Sequence, residues 1–221
     1  MPLAVQSIPY LAALAIAGIA LGVPFGVWGW GPCLLVAAFI AFFFRDPDRA
    51  TPGGEGLVVS PADGRVTAVE AGPSGTRVSI FLSVFNCHIN RSPVDGEVIS
   101  ATYTPGRFRP AWDPRVDREN ERNHLVIRAG DGEYAVTQIA GILARRIVCT
   151  KGPGSRVRRG ERIGLIQFGS RTDLHLPPGV DPVVRPGDRV SGATSVLAGR
   201  AAAGAVARVA AGASTAAGGD A

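Results

Sequence analysis

A glycine and a serine at the end of an apolar run, Phe168-Gly169-Ser170, are where bond-making chemistry can be read from residue type. Glycine lets the backbone take unusual conformations and lets a neighbour approach its carbonyl closely. Serine sets a hydroxyl within reach of that same carbonyl carbon. Together they supply what an intramolecular shift of an acyl group from nitrogen to oxygen requires. The dipeptide also ends many strands as a plain turn, and residue type alone leaves both readings open. A serine hydroxyl is a poor nucleophile until a neighbour takes its proton, and the chain has three histidines that could do so: His88, His124 and His175. The cysteines Cys33, Cys87 and Cys149 have no C-x-x-C spacing. No disulfide framework or metal site is therefore readable, which fits a reducing compartment.

The elements that must position this serine read as strands. Arg162–Gln167 alternates into Gly-Ser, and Arg77–Leu82, His124–Ile127 and Tyr134–Ile139 alternate as well. Two internal echoes frame them. Ser60-Pro61-Ala62-Asp63-Gly64-Arg65-Val66 recurs as Ser92-Pro93-Val94-Asp95-Gly96-Glu97-Val98, each a Pro and Asp-Gly turn feeding a β-branched strand. Val157-Arg158-Arg159-Gly160-Glu161-Arg162-Ile163 recurs as Val184-Arg185-Pro186-Gly187-Asp188-Arg189-Val190, again turn chemistry between strands. No amphipathic helix of ordinary length is read between residues 50 and 185. The expected fold is mainly β, built from two related halves, and its patterning resembles the barrel-sandwich hybrids of biotinyl and lipoyl domains.

From Ile8 to Phe44 the chain carries no charged side chain. That is too long for the apolar core of a secretory signal, and the residues before it lack a basic flank. One membrane-spanning helix needs about 20 residues. Gly22-Val23-Pro24 and Gly29-Trp30-Gly31-Pro32 divide the stretch into Ile8–Leu21 and Cys33–Phe44, which predicts a helical hairpin over residues 1–44 rather than one tilted span. Arg45-Asp46-Pro47-Asp48-Arg49 follows at once, and the positive-inside tendency places that flank, and the domain after it, on the cytoplasmic side of the cell membrane. The net charge of +5, nearly all from arginine, suits the same anionic surface. No aromatic-basic stripe of the kind that binds single-stranded nucleic acid is present. A domain over 45–195 is expected to follow, then an Ala/Gly-rich disordered tail over 196–221.

Several segments come in the order and rough spacing of one enzyme family. They are Phe43-Phe44-Arg45-Asp46-Pro47, Ser60-Pro61-Ala62-Asp63-Gly64, Asn86-Cys87-His88-Ile89-Asn90-Arg91-Ser92-Pro93, Glu119-Asn120-Glu121-Arg122-Asn123 and Phe168-Gly169-Ser170-Arg171. On these residues the chain resembles the phosphatidylserine decarboxylase family, most closely its short bacterial and archaeal branch, from about Phe42 to Val190. The resemblance implies a proenzyme that cuts itself between Gly169 and Ser170. Residues 1–169 would become a β chain and residues 170–221 an α chain, held together as a heterodimer. Ser170 would become a covalent pyruvoyl group, which takes the amine of a phospholipid substrate as a Schiff base and accepts electrons as CO2 leaves. Asp63 and His88 match the family's acidic and histidine positions, with Asp63 orienting the imidazole. Asn120, Glu121, Arg122 and Asn123 would brace the site. Longer members have His-x-x-His where this chain has His88-Ile89-Asn90-Arg91, so Arg91 stands in place of a second histidine.

Two other functions use the same residues. A serine hydrolase could be built from Ser170, His88 and Asp63, but Gln167-Phe168-Gly169-Ser170-Arg171 lacks the Gly-x-Ser-x-Gly elbow. A lipoyl- or biotinyl-like carrier tethered to a membrane needs a modifiable lysine at a hairpin tip. Lys151, the sole lysine, lies in Cys149-Thr150-Lys151-Gly152-Pro153 without the symmetry of such a tip.

Overall fold

A computed structural model describes residues 2–109, 115–141, 146–167 and 170–199. Phe168, Gly169, Arg145 and the expected tail from Arg200 onward lie outside the described residues. The chain divides into two compact units, one ending at Asp48 and one beginning at Arg49.

In the first unit a short 3-10 turn, Val5–Ser7, leads into helix α1 (Ile8–Phe25), and α2 (Val27–Phe43) follows. The break is narrower than the sequence pattern predicts. It is Gly26 alone, with a φ of 57° that glycine adopts without penalty, and Pro24 and Pro32 lie inside the helices. The two helices pack closely because their contacts are glycine. A Cβ at Gly18 or Gly22 would overlap the Trp30 ring, and one at Gly29 the Leu21 carbonyl. Ile16, Ile19, Val23, Phe25, Trp28, Leu34 and Leu35 point outward. Val5–Phe25 is long and apolar enough to cross a membrane, while Val27–Phe43 is a shorter apolar helix. Such an apolar segment supports membrane association.

The second unit is mainly β. Its strands are β1 (Leu57–Val59), β2 (Gly64–Gly72), β3 (Gly75–Leu82), β4 (Ile89–Arg91), β5 (Gly96–Thr104), β6 (Arg122–Ala129) and β7 (Gly132–Ala140). They continue with β8 (Ile147–Cys149), β9 (Arg156–Val157), β10 (Arg162–Ile166), β11 (Ser170–Leu176), β12 (Asp181–Pro182), β13 (Arg189–Val190) and β14 (Val196–Gly199). The one helix among the described residues of this unit is the single turn α3 (Val116–Glu119). Val196–Gly199, placed in the tail by composition, instead pairs with β1 and β12. Val196, Leu197 and Ala198 are buried there and supply apolar contacts.

An eight-stranded sheet runs β13-β2-β3-β11-β7-β6-β5-β9, and two three-stranded sheets run β1-β14-β12 and β4-β10-β8. This order is a palindrome. Exchanging β1 with β4, β2 with β5, β3 with β6, β11 with β7, β12 with β8, β13 with β9 and β14 with β10 reproduces every pairing. The first echo, Ser60–Val66 with Ser92–Val98, is the local form of that symmetry; the second is not, because it matches residues of β13 with β10 where the symmetry exchanges β13 with β9. Ser60 Oγ donates to the Ala62 carbonyl at 2.6 Å and Ser92 Oγ to that of Val94 at 2.7 Å. The register slips at Val66/Ala68 in β2 and at Val98/Ser100 in β5. In the second echo, the Arg158 amide donates to Glu161 and the Arg185 amide to Asp188. Inward side chains from both halves, among them Val66, Ile80, Leu125, Ile127, Val136 and Leu174, form one core of nearly zero exposure.

The two halves are not consecutive. One of them, β4 to β10, is contiguous and inserted into the other between β3 and β11. The chain crosses between halves twice, once through Ser83–His88 and once through residues 167–169.

Candidate functional site

Both crossovers lie at the same end of the large sheet, and the residues singled out from sequence gather there. Ser170 opens β11 at the centre of the sheet, with its backbone opposite Leu82 of β3 on one side and Ala140 of β7 on the other. Its side chain follows the inward parity of Thr172 and Leu174 and is fully buried. The Ser170 hydroxyl has no hydrogen-bond partner among the described residues. A buried hydroxyl without a partner costs about 1–3 kcal/mol, and native structures rarely keep one without a use.

His88 ends the first crossover. The crossover is a tight turn in which Asn86 Oδ1 accepts from both the amide and the hydroxyl of Ser83, at 2.9 and 2.7 Å. His88 is buried, and its Nδ1 lies 2.9 Å from the Asn86 carbonyl. A carbonyl can only accept, so Nδ1 carries the proton and Nε2 is the basic nitrogen. The His88 carbonyl accepts from the amide of Ile166, the last residue of β10. The His88 backbone, just before β4, is thus tied to the last residue of β10, next to residue 167.

Asp63 is held elsewhere. Its Oδ2 pairs with Arg49 Nη2 at 2.7 Å, its Oδ1 accepts the Gly192 amide at 2.7 Å, and Arg49 Nη1 reaches the Gly192 carbonyl at 3.1 Å. This closed ring fixes the Ser191–Ser195 loop, in which Ala193 takes a positive φ of 66° and donates its amide to Ser60. Among the described residues no hydrogen bond joins Asp63 to His88, whose Nδ1 faces the Asn86 carbonyl. Arg91, in the place of a second histidine, is buried and donates to the Gly160 carbonyl at 3.0 Å.

The polar run 120–123 braces the strand beside Ser170. Asn120 Nδ2 donates to the Ala140 carbonyl at 2.7 Å, and the Ala140 amide donates to the Glu121 carbonyl at 2.9 Å. Glu121 Oε1 accepts the Ile147 amide at 3.3 Å. Arg122 has outward parity on β6, opposite Ile139 of β7.

Asn123 begins a chain of amides that sequence reading did not assemble. Its Nδ2 donates to Gln138 Oε1 at 3.0 Å, and Gln138 Nε2 donates to Asn90 Oδ1 at 2.9 Å. Asn90 Nδ2 then donates to Thr172 Oγ1 at 3.0 Å and to the Pro61 carbonyl at 3.4 Å. All four side chains are buried. Asn90 therefore joins the segments carrying Asp63, His88 and Ser170. The readable signal was Gln138 and Thr172 at inward positions of otherwise apolar strands.

The other histidines lie apart. His175 is five residues from Ser170, about 17 Å along the strand and of opposite parity. Its ring meets that of His124 edge-on at 6.0 Å. His124 Nδ1 sits 2.8 Å from Thr137 Oγ1, and burial, with the Arg122 charge second, lowers its pKa.

The family model for phosphatidylserine decarboxylase matches residues 36–198. The phosphatidylserine decarboxylase proenzyme of Symbiobacterium thermophilum is 48% identical over 86% of this chain and 91% of its own length. That of Ruegeria pomeroyi is 47% identical over 78% of this chain and 83% of its own length. The proenzyme of Beijerinckia indica is 41% identical over 90% of each chain.

Proposed function

The chain belongs to the phosphatidylserine decarboxylase family, and from that premise we propose that Ser170 is the residue at which it cuts itself and from which its cofactor is made. The enzyme is a carboxy-lyase that matures from a proenzyme by self-processing and converts phosphatidylserine to phosphatidylethanolamine and CO2. The observation that carries the assignment to Ser170 is its hydroxyl, buried and without a partner at the edge of the second crossover.

In the proposed self-cleavage, Ser170 Oγ attacks the carbonyl carbon of Gly169 while His88 Nε2 takes the hydroxyl proton. The C–N bond breaks, its nitrogen is protonated, and an ester joins Gly169 to Oγ. Loss of the Ser170 Cα proton then expels the Gly169 carboxylate from Cβ and leaves dehydroalanine. One water converts that residue to a pyruvoyl group and releases ammonia. The site fits such a group, because the first residue of β11 is held by strands on both sides and its inward side chain is shielded from water. When formed, the pyruvoyl carbonyl supplies an electron sink for the pair released as CO2 departs. His88 returns a proton to the substrate carbon. Asp63 acts by position, through Arg49 and the Ser191–Ser195 loop. The β chain 1–169 and α chain 170–221 stay together because β11, β13 and β14 remain paired with β3, β7, β2 and β1. The catalytic unit faces the cytoplasm and takes its phospholipid from the membrane that holds α1.

The test is the mass of the purified chain. Two chains are expected, the smaller beginning at position 170 with a blocked terminus, and Ser170→Ala should give one chain without decarboxylase activity. Cleavage at another bond, or normal cleavage in Ser170→Ala, refutes the assignment. A serine hydrolase would remain a single chain in the wild type.

A further inference from the structure

The strand register lays out a row of side chains one residue beyond Ser170, on the outer face of the large sheet. From the β13 edge inward it reads Arg189, Arg65, Phe81, Arg171, Ile139 and Arg122, each directly opposite the next. Their inward neighbours Val190, Val66, Ile80, Leu82, Ser170 and Thr172 are buried, so the row points the other way. Arg171 is matched by Asp173 at 2.8 Å. Arg189 and Arg65 are exposed, face one another across the β13–β2 pair, and meet no carboxylate among the described residues. Like charges directly opposite on adjacent strands repel.

The palindrome gives an internal comparison. At the symmetry-related position of β5 and β9, the pair is Glu97 opposite Arg156, of opposite charge. Only the half that carries Asp63 has arginine on both strands. Phe81 is partly exposed beside Arg65, and Phe85, in the crossover that ends at His88, is 68% exposed. Unmatched arginines with aromatic side chains at the substrate end of the sheet have the chemistry of a surface that meets anionic headgroups.

We infer that Arg65 and Arg189, with Phe81 and Phe85 at their flank, form the face on which the catalytic unit rests against an anionic lipid bilayer. The inference rests on the proposed function for placing the reaction at this end of the sheet. Phosphate oxygens between the two guanidinium groups would relieve their repulsion, and the bilayer would supply them in excess. The surface is separate from the Ser170 machinery, since both arginines have outward parity while Ser170 and Thr172 face inward.

The test is arginine-selective dicarbonyl labelling of the full chain, read by mass spectrometry after reconstitution into vesicles. Vesicles of phosphatidylcholine alone are compared with phosphatidylcholine containing phosphatidylglycerol. Labelling of Arg65 and Arg189 should fall about fivefold on the anionic vesicles, the ratio expected for a basic residue near such a surface, and recover in high salt. Arg128, exposed at the far hairpin, should not change. Equal labelling of Arg65 and Arg189 on both vesicles overturns the inference. In Arg65→Gln/Arg189→Gln, self-cleavage should go to completion while turnover on anionic vesicles loses its salt dependence; unchanged salt dependence also overturns it. Shielding of both arginines in a chain that fails to cut at Ser170 would support the surface and count against the proposed function alone.

Discussion

Asn90 offers the sharpest test of how the site is held, and Asn90→Leu is the perturbation. The leucine has a similar branched shape and makes the residue apolar in a site of zero exposure. It removes the acceptor of Gln138 Nε2 and the donor to Thr172 Oγ1, formed at 2.9 and 3.0 Å. The Pro61 carbonyl keeps the Arg91 amide at 2.9 Å, so it is not orphaned. Two buried groups therefore lose a partner, at about 1–3 kcal/mol each, for an expected loss of about 2–6 kcal/mol. A domain stable by roughly 5–15 kcal/mol remains folded after such a change. The loss is best measured by pulse proteolysis in urea with Ser170→Ala as background, which holds the chain in one uncut form. Thr172→Val should destabilise the parent but cost close to nothing after Asn90→Leu, since its hydroxyl has by then lost its donor. With Ser170 restored, self-cleavage of folded Asn90→Leu should slow on the order of a hundredfold, the usual penalty for displacing reacting groups by about 1 Å. A loss below about 0.5 kcal/mol, additive effects of the two substitutions, or cleavage at the parental rate would each refute the view of Asn90 as the joint between the three segments.

Two further outcomes follow from named contacts. Asp63→Asn and Arg49→Gln each break the same part-buried ion pair, so each should cost about 1.5–3 kcal/mol, and the double variant no more than the worse single one; urea denaturation of the four proteins checks this, with additivity as the contrary result. His124 has a folded-state pKa below its ordinary value, because burial and then Arg122 disfavour the charged ring, with His175 and Thr137 its other close neighbours. The folded state thus binds fewer protons than the unfolded state, and the contribution is complete above pH about 6.5 and lost as pH falls through the folded value. His124→Gln should flatten that part of a thermal stability profile; an unchanged slope below pH 6.5 would count against it.

Part of the fold was legible because the first echo falls where the structure repeats, while the second repeats a turn between strands that the symmetry does not exchange. The Ser-Pro-x-Asp-Gly and basic-x-Gly-acidic-Arg echoes mark turns whose chemistry is local, and each turn is made by a side chain bonding its own neighbours. Strand ends at Leu82, Ile139 and Ile166 were readable within a residue by alternation. What local pattern does not carry is which strands meet. Val196–Gly199 looked like the start of a small-residue tail, and only pairing with β1 and β12 makes it a strand. The same holds for the site. Ser170, His88 and Asp63 were identifiable as candidates, yet the partner of the imidazole is the Asn86 carbonyl, and backbone atoms carry no residue signature. Gln138, Thr172 and Asn90 are scattered along the chain, and their bonding depends on register between strands far apart in sequence.

The inserted topology gives a physical reason for the location of the proposed cut. A break within β11 or β7 would remove a strand paired on both edges, with loss of its ladder on each side. A break in residues 167–169 severs only the covalent passage from one half to the other. Ser170 keeps Leu82 and Ala140 opposite it, and β13 and β14 keep β2 and β1. The other passage, Ser83–His88, still joins the halves after the cut. In the proposed maturation the chain breaks a peptide bond at one of its two crossovers, and the other crossover carries the proposed base. One passage leaves β3 after Leu82, directly opposite Ser170, where the strand after the other passage begins. The proposed nucleophile and the proposed base each border one of the two passages by which one half is threaded into the other.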